Sequence, residues 1–122
     1  MQLTLENPDF RYLLRGISAD GVLVNDKTLN SSFILTPNEL LENWRPASSQ
    51  DLVADDMQAL LDLNPVLVIL GTGSRQQFPS AAVMAACLTR GIGIEVMDNA
   101  AAARTFNVLA TEGRKVVAGF IV

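Results

Sequence analysis

Short apolar runs separated by turn residues fill the first third of the chain. Tyr12-Leu13-Leu14, Val22-Leu23-Val24 and Phe33-Ile34-Leu35 alternate with Ala19-Asp20-Gly21 and Asn25-Asp26. Asp-Gly and Asn-Asp between β-formers predict a meander of three antiparallel strands. Thr36-Pro37-Asn38 closes that region, and Trp44-Arg45-Pro46-Ala47-Ser48-Ser49 reads as a loop carrying the only tryptophan. From Val53 the period changes: Val53, Met57, Leu60 and Leu61 share one helical face, and Asp55 and Asp56 fall in the first turn, where the helix dipole favours anions.

Asn64-Pro65 ends that helix. Val66-Leu67-Val68-Ile69-Leu70 is continuously apolar, the pattern of a strand covered on both faces at the centre of a sheet. After Gly71-Thr72-Gly73, Pro79 suits a helical first turn, Ser80 to Arg90 continues it, and Gly91 suits the left-handed cap. Ile92 to Met97 is the next strand. Asp98 or Asn99 caps a helix running through Glu112, with Ala102, Phe106, Leu109 and Ala110 as its buried stripe, and Gly113 stops it. Val116 to Ile121 returns as a last strand. Strands alternating with helices imply βαβ units, so the expected class is α/β: a central mixed sheet flanked by helices, with the N-terminal meander extending or flanking it.

Composition narrows what such a fold can do. A chain of 122 residues, 49% hydrophobic and 18% charged, is read as one packed domain spanning residues 1–122. Nine Lys and Arg against thirteen Asp and Glu give a net charge of −4 without a basic run, which argues against nucleic acid. Met1-Gln2-Leu3-Thr4-Leu5-Glu6 lacks the features of a secretory signal or transit peptide, and no apolar run approaches the ~20 residues that cross a bilayer. A cytoplasmic protein without membrane insertion is expected. One cysteine, Cys87, leaves no internal disulfide and no multi-cysteine metal site. The chain has no histidine, which removes Ser-His-Asp triads, Cys-His pairs and almost every catalytic zinc arrangement. No metal site is expected.

The strongest site candidate is the turn Gly71-Thr72-Gly73-Ser74 after the central strand, where backbone amides can meet an anion at the sheet's carboxyl edge. A dinucleotide fingerprint would place a third glycine at position 76, where this chain has Gln76. A tight turn or close backbone packing explains the glycines equally well. Asp98 stands near the place of a ribose-binding acid, and it is also a standard helix cap. Arg104, Val108 and Thr111 point away from the apolar stripe with Thr105 and Asn107 on its flanks, the pattern of a solvated face or of a binding face. Cys87, with Val83 and Met84, reads as a small buried hydrophobe rather than a reactive thiol. Trp44 reads either as an exposed partner anchor or as an aromatic folded over the core edge.

These residues also carry a resemblance. Val24-Asn25, Ser32-Phe33-Ile34-Leu35-Thr36-Pro37, Trp44, Leu70-Gly71-Thr72-Gly73, Met97-Asp98 and Ala103-Arg104-Thr105-Phe106-Asn107-Val108-Leu109, with Glu112-Gly113-Arg114, resemble the Mth938-like domain family, domain of unknown function 498. The resemblance covers nearly the whole chain. It implies a three-layer fold and no cofactor or catalysis. It marks Gly71, Thr72, Gly73, Asp98, Arg104, Thr105, Asn107 and Arg114 as motif positions of unassigned role. A mitochondrial member is an assembly factor for respiratory complex I, and a vertebrate cytosolic member is linked to adipocyte differentiation.

The expected function is therefore a non-catalytic protein-interaction or assembly module with an unidentified protein partner, of the kind that aids assembly of a respiratory-type complex. The alternative is a protein that holds a small anionic ligand at Gly71-Thr72-Gly73 with help from Arg75 or Arg104. An enzyme running on carboxylates or on a substrate-held metal is a third reading. Self-association through an edge strand of the meander is a further expectation.

Overall fold

The computed structural model describes residues 11–122. The reading of Met1 to Glu6 lies outside them. Among the described residues the first third forms five strands rather than three, divided between two sheets. β1 (Leu14–Ser18), β2 (Gly21–Val24) and β3 (Lys27–Leu29) make a small antiparallel sheet in that order. β4 (Phe33–Leu35) and β5 (Leu40–Glu42) leave it and join β6 (Leu67–Gly71), β7 (Gly93–Met97) and β8 (Val116–Phe120) in a five-stranded sheet ordered β5-β4-β8-β6-β7. The meander thus both flanks and extends the central sheet. β3 and β5 escape a hydrophobic-pattern reading because each is only three residues long, and Lys27-Thr28-Leu29 and Leu40-Leu41-Glu42 have no full alternation.

The central sheet is mixed. β6 pairs parallel with both β7 and β8, whereas β4 runs antiparallel to β8 and to β5. Parallel neighbours need a crossover, and the helices supply it: α2 (Ala81–Leu88) links β6 to β7, and α3 (Asn99–Thr111) links β7 to β8. A 3-10 turn (Ala54–Met57) runs into the four-residue α1 (Gln58–Leu61), where the pattern predicted one helix. α2 begins at Ala81, two residues beyond the Pro79 expected in its first turn. Ser80 is its N-cap, accepting from Val83 N–H at 3.3 Å, and Gly91 beyond its end has φ +72°.

Side chains alternating along each central strand divide the interior in two. Phe33 and Leu35 of β4, Ile69 of β6, and Ala118 and Phe120 of β8 face α3 and the small sheet. Ile34, Val68, Leu70 and Val117 face the other way, toward Met57, Leu60, Val83, Cys87 and Trp44. The result is three layers: α3 with the small sheet, the central sheet, and α1 with α2. Phe33 and Phe120, cross-strand partners in the antiparallel register, stack with ring centroids 5.0 Å apart.

Trp44 is folded in. Its indole N–H donates to the Asp56 carbonyl at 3.0 Å, and its ring lies on β8 where Gly119 leaves room. A Cβ at Gly119 would come within 2.8 Å of two ring carbons of Trp44, tighter than van der Waals contact permits. Gly119→Ala therefore should lower stability by about 1–3 kcal/mol through overpacking. Urea unfolding measures the loss, and a shift in Trp44 fluorescence reports the displaced indole.

Candidate functional site

β6 ends at Gly71 under the start of α3, and one side chain organises the junction. Asn99, buried at the first position of α3, accepts the Gly73 N–H on Oδ1 at 3.1 Å and donates from Nδ2 to the Ile121 carbonyl at 2.9 Å. Its own N–H donates to the Gly73 carbonyl at 2.8 Å, and Ile121 N–H donates to the Gly71 carbonyl at 2.9 Å. Asn99 thereby joins the loop after β6, the start of α3 and the residue after β8. Gly71 is obligatory here, because a Cβ would lie 2.4 Å from Asn99 Oδ1. Gly73, at φ +97°, holds a backbone conformation that favours glycine.

Thr72 closes the loop from the other side. Its N–H donates to the Met97 carbonyl at 3.0 Å, while its hydroxyl donates to the Arg75 carbonyl at 2.6 Å and accepts from Gln77 N–H at 3.1 Å. The N–H groups of Thr72 and Gly73, which the glycine pattern offered to an anion, are thus engaged inside the protein. Asp98 is the N-cap of α3, its carboxylate accepting from Ala101 N–H at 2.8 Å.

A cleft of about 520 Å³ opens beside this loop, between the β1–β2 turn and the segment Ala47–Gln50. Thr72, Gly73, Ser74 and Asn99 line it, facing Ser18, Asp20, Ser49 and Gln50. Ser49 ties the two sides, donating to the Thr72 carbonyl at 3.3 Å. Among the described residues Asp20 is the one ionisable side chain on its wall; Arg75 and Arg104 are not part of it. The four lining residues from the loop and α3 come together with Asp20 and Ser49, which carry no local signal of that role in the chain. Asp98, Arg104, Thr105 and Asn107 stand apart from the cleft.

Asn107 has a different task. Its Oδ1 accepts Leu14 N–H at 2.9 Å and its Nδ2 donates to the Leu14 carbonyl at 2.7 Å, so a side-chain amide on α3 pairs with β1 as a neighbouring strand would. This clamp holds the small sheet against the helix. Arg104, one turn earlier, is exposed, and Thr105 is half-buried.

A second polar cluster stands where Trp44 packs. The Arg45 guanidinium reaches both carboxylate oxygens of the buried Asp56, at 2.6 and 2.7 Å, and Asp51 at 3.1 Å. Asp56 also accepts Val53 N–H at 2.8 Å, ordering the 3-10 turn. Hydrogen bonds from Arg45 hold the Asp56 carboxyl below the usual carboxylate range, with the Val53 N–H assisting against the opposing effect of burial. The Ala47 N–H and then Arg45 lower Asp51 in the same direction. Burial raises the Cys87 thiol, so it stays protonated and apolar among its neighbours.

Comparison with known proteins places the chain. Residues 14–121 match the family described as "Protein of unknown function (DUF498/DUF598)", and the chain belongs to it. The solution structure of a Xanthomonas campestris protein superposes with a TM-score of 0.84 at 55% identity, covering 100% of this chain and 92% of that one. A Bordetella pertussis protein described as a Mth938-like domain shares the fold, with a TM-score of 0.79 at 24% identity over 90% of this chain and 85% of its own. Among named relatives, the human and bovine NADH dehydrogenase [ubiquinone] 1 alpha subcomplex assembly factor 3 are 33% identical over 103 residues and 32% identical over 121. Those matches cover 83% and 98% of this chain, which spans 55% and 65% of their lengths.

Asn107→Ala strips both partners from the Leu14 peptide and should cost about 1–3 kcal/mol, whereas Arg104→Ala should stay within about 0.5 kcal/mol. Chemical denaturation measures both, and faster hydrogen exchange at Leu14 N–H locates the first loss at β1.

Asp56 also predicts an acid limb. Its folded pKa lies below the unfolded value of about 3.9, so its contribution is complete above that pH and disappears as pH falls toward the folded value. Asp56→Asn should lower stability at neutral pH by about 2 kcal/mol and flatten the decline below pH ~4. Thermal unfolding of both proteins across that range gives the comparison.

Proposed function

We propose that this chain is an assembly factor: a non-catalytic protein that binds a subunit or intermediate of a membrane-bound NADH dehydrogenase and releases it once assembly has advanced. The observation that carries this reading is the kinship with the bovine assembly factor across 98% of the chain at 32% identity. The chemistry of the polar clusters agrees with it. Asp51 and Asp56 have carboxyls lowered by their partners, the opposite of the raised pKa that a general acid needs at neutral pH. No helix among the described residues is long and apolar enough to cross a membrane.

The small-molecule reading draws less support. The loop amides at Thr72 and Gly73 are engaged internally, and among the described residues the cleft wall carries Asp20 but no cation to hold an anion.

Deletion of the gene from the cell that encodes it provides the test. Assembled NADH dehydrogenase, read on a native gel and as NADH:quinone activity of the membranes, should fall several-fold and return when the wild-type chain is supplied. Unchanged enzyme in the deletion strain would overturn the assembly role.

A further inference from the structure

A second cavity lies at the end of the central sheet opposite the Gly71 turn, and strand register creates it. β8 keeps β6 beside it back to Val116, but its pairing with β4 stops at Ala118, opposite Leu35. Thr36-Pro37 turns the chain away there, and Pro37 has no N–H with which to extend the ladder. The gap beside Val116 and Val117, closed by the turns that follow α1 and α3, is a pocket of about 300 Å³. Leu63, Pro65, Ala110 and Val117 give it apolar walls, and Arg114 and Lys115 stand on its rim. In a chain of net charge −4 these are the only two cations adjacent in sequence. Neither is committed elsewhere among the described residues. Lys115 has no carboxylate within ion-pair distance, and the one within reach of Arg114 is the exposed Glu112, 4.0 Å away.

We propose that this pocket binds a small amphipathic carboxylic acid, with its hydrocarbon part against the apolar walls and its carboxylate on Arg114 and Lys115. Three features of the pocket select that chemistry. Its volume is at the lower end of small-molecule sites, with room for a short hydrocarbon chain or a single ring and none for an extended peptide. Its walls reward an apolar body, and a planar guanidinium beside an ammonium matches a carboxylate. Glu39 is the one acid that lines the pocket among the described residues, so two cations against it leave a single positive charge. A monoanion balances that charge, whereas a phosphate dianion would face Glu39 with charge left over. The inference goes beyond the assembly role and stands independently of it.

Titration of the wild-type chain with sodium octanoate at neutral pH and low salt, followed through its backbone amide resonances, tests the site. Octanoate should shift the amides of Leu63, Gly113, Lys115 and Val117 and leave Gly16 and Gly73 unmoved. Octan-1-ol, with the same chain and no charge, should bind about tenfold more weakly or worse. Arg114→Gln combined with Lys115→Gln should weaken octanoate by about the same factor, while Arg104→Gln, at an exposed position of α3, should leave its affinity unchanged. Both rim positions are exposed, and the unaltered remainder of the spectrum checks that the double variant is folded. Octyl phosphate should bind more weakly than octanoate, and Glu39→Gln should narrow that difference. The absence of shifts around the pocket at millimolar octanoate overturns the site. Equal binding of octanoate and octanol, full affinity in the double variant, or tighter binding of octyl phosphate overturns the carboxylate assignment. A peptide ending in Leu-Val with a free terminal carboxylate that shifts the same amides at lower concentration than octanoate also overturns the proposal, making a protein terminus the occupant.

Discussion

Everything in this fold depends on β8 being tolerated at the middle of the central sheet. It joins the antiparallel half, β4 and β5, to the parallel half, β6 and β7, and it is buried along its whole length. A strand in that position needs apolar side chains on both faces, and Val116-Val117-Ala118-Gly119-Phe120 supplies them at graded size. Phe120 stacks on Phe33 on the α3 side. On the other side Gly119 leaves the space into which Trp44 lies. The large ring and the absent side chain form one packing unit, although seventy-five residues separate them in the chain.

The polar groups are arranged around this seam. Asn99 fastens the end of β6 to the residue after β8, Asn107 fastens the small sheet to α3, and Arg45 with Asp56 fastens the Trp44 loop to the 3-10 turn. Each is a side chain bonding between elements where the backbone ladder does not reach. Among the described residues no buried side-chain nitrogen or oxygen lacks a partner, as a settled interior requires. Motif positions that invited a chemical reading thus have structural employment: Asp98 as a cap, Thr72 as a loop lock, Asn107 as a clamp.

Where the chain announces its elements, it does so through period. Of the predicted α3 stripe, Ala102, Phe106 and Ala110 are buried and Leu109 is half-buried, and the unbroken apolar run at β6 lies between two covering layers. Shorter elements lack enough residues for a period to appear, which is why β3 and β5 emerge only in three dimensions. The orientation of Trp44 was open in the sequence because Gly119 decides it. The cleft was half legible. Gly71-Thr72-Gly73 marks the sharp exit from β6, but Asp20 and Ser49 arrive from other turns, and the Asn99 bonds that occupy the loop have no local signature.

β8 is also the last strand in sequence order, and this has a consequence for synthesis. On a ribosome the β4–β5 hairpin and the β6–α2–β7 unit emerge before the strand that lies between β4 and β6. Until residues 116–120 appear, the facing edges of β4 and β6 remain unpaired and their apolar faces uncovered. The nascent chain therefore passes through an interval in which two half-sheets exist without their common partner, open to mispairing or to capture by a chaperone. Closure is by insertion rather than by accretion at an edge, so the sheet is completed in one late, long-range step.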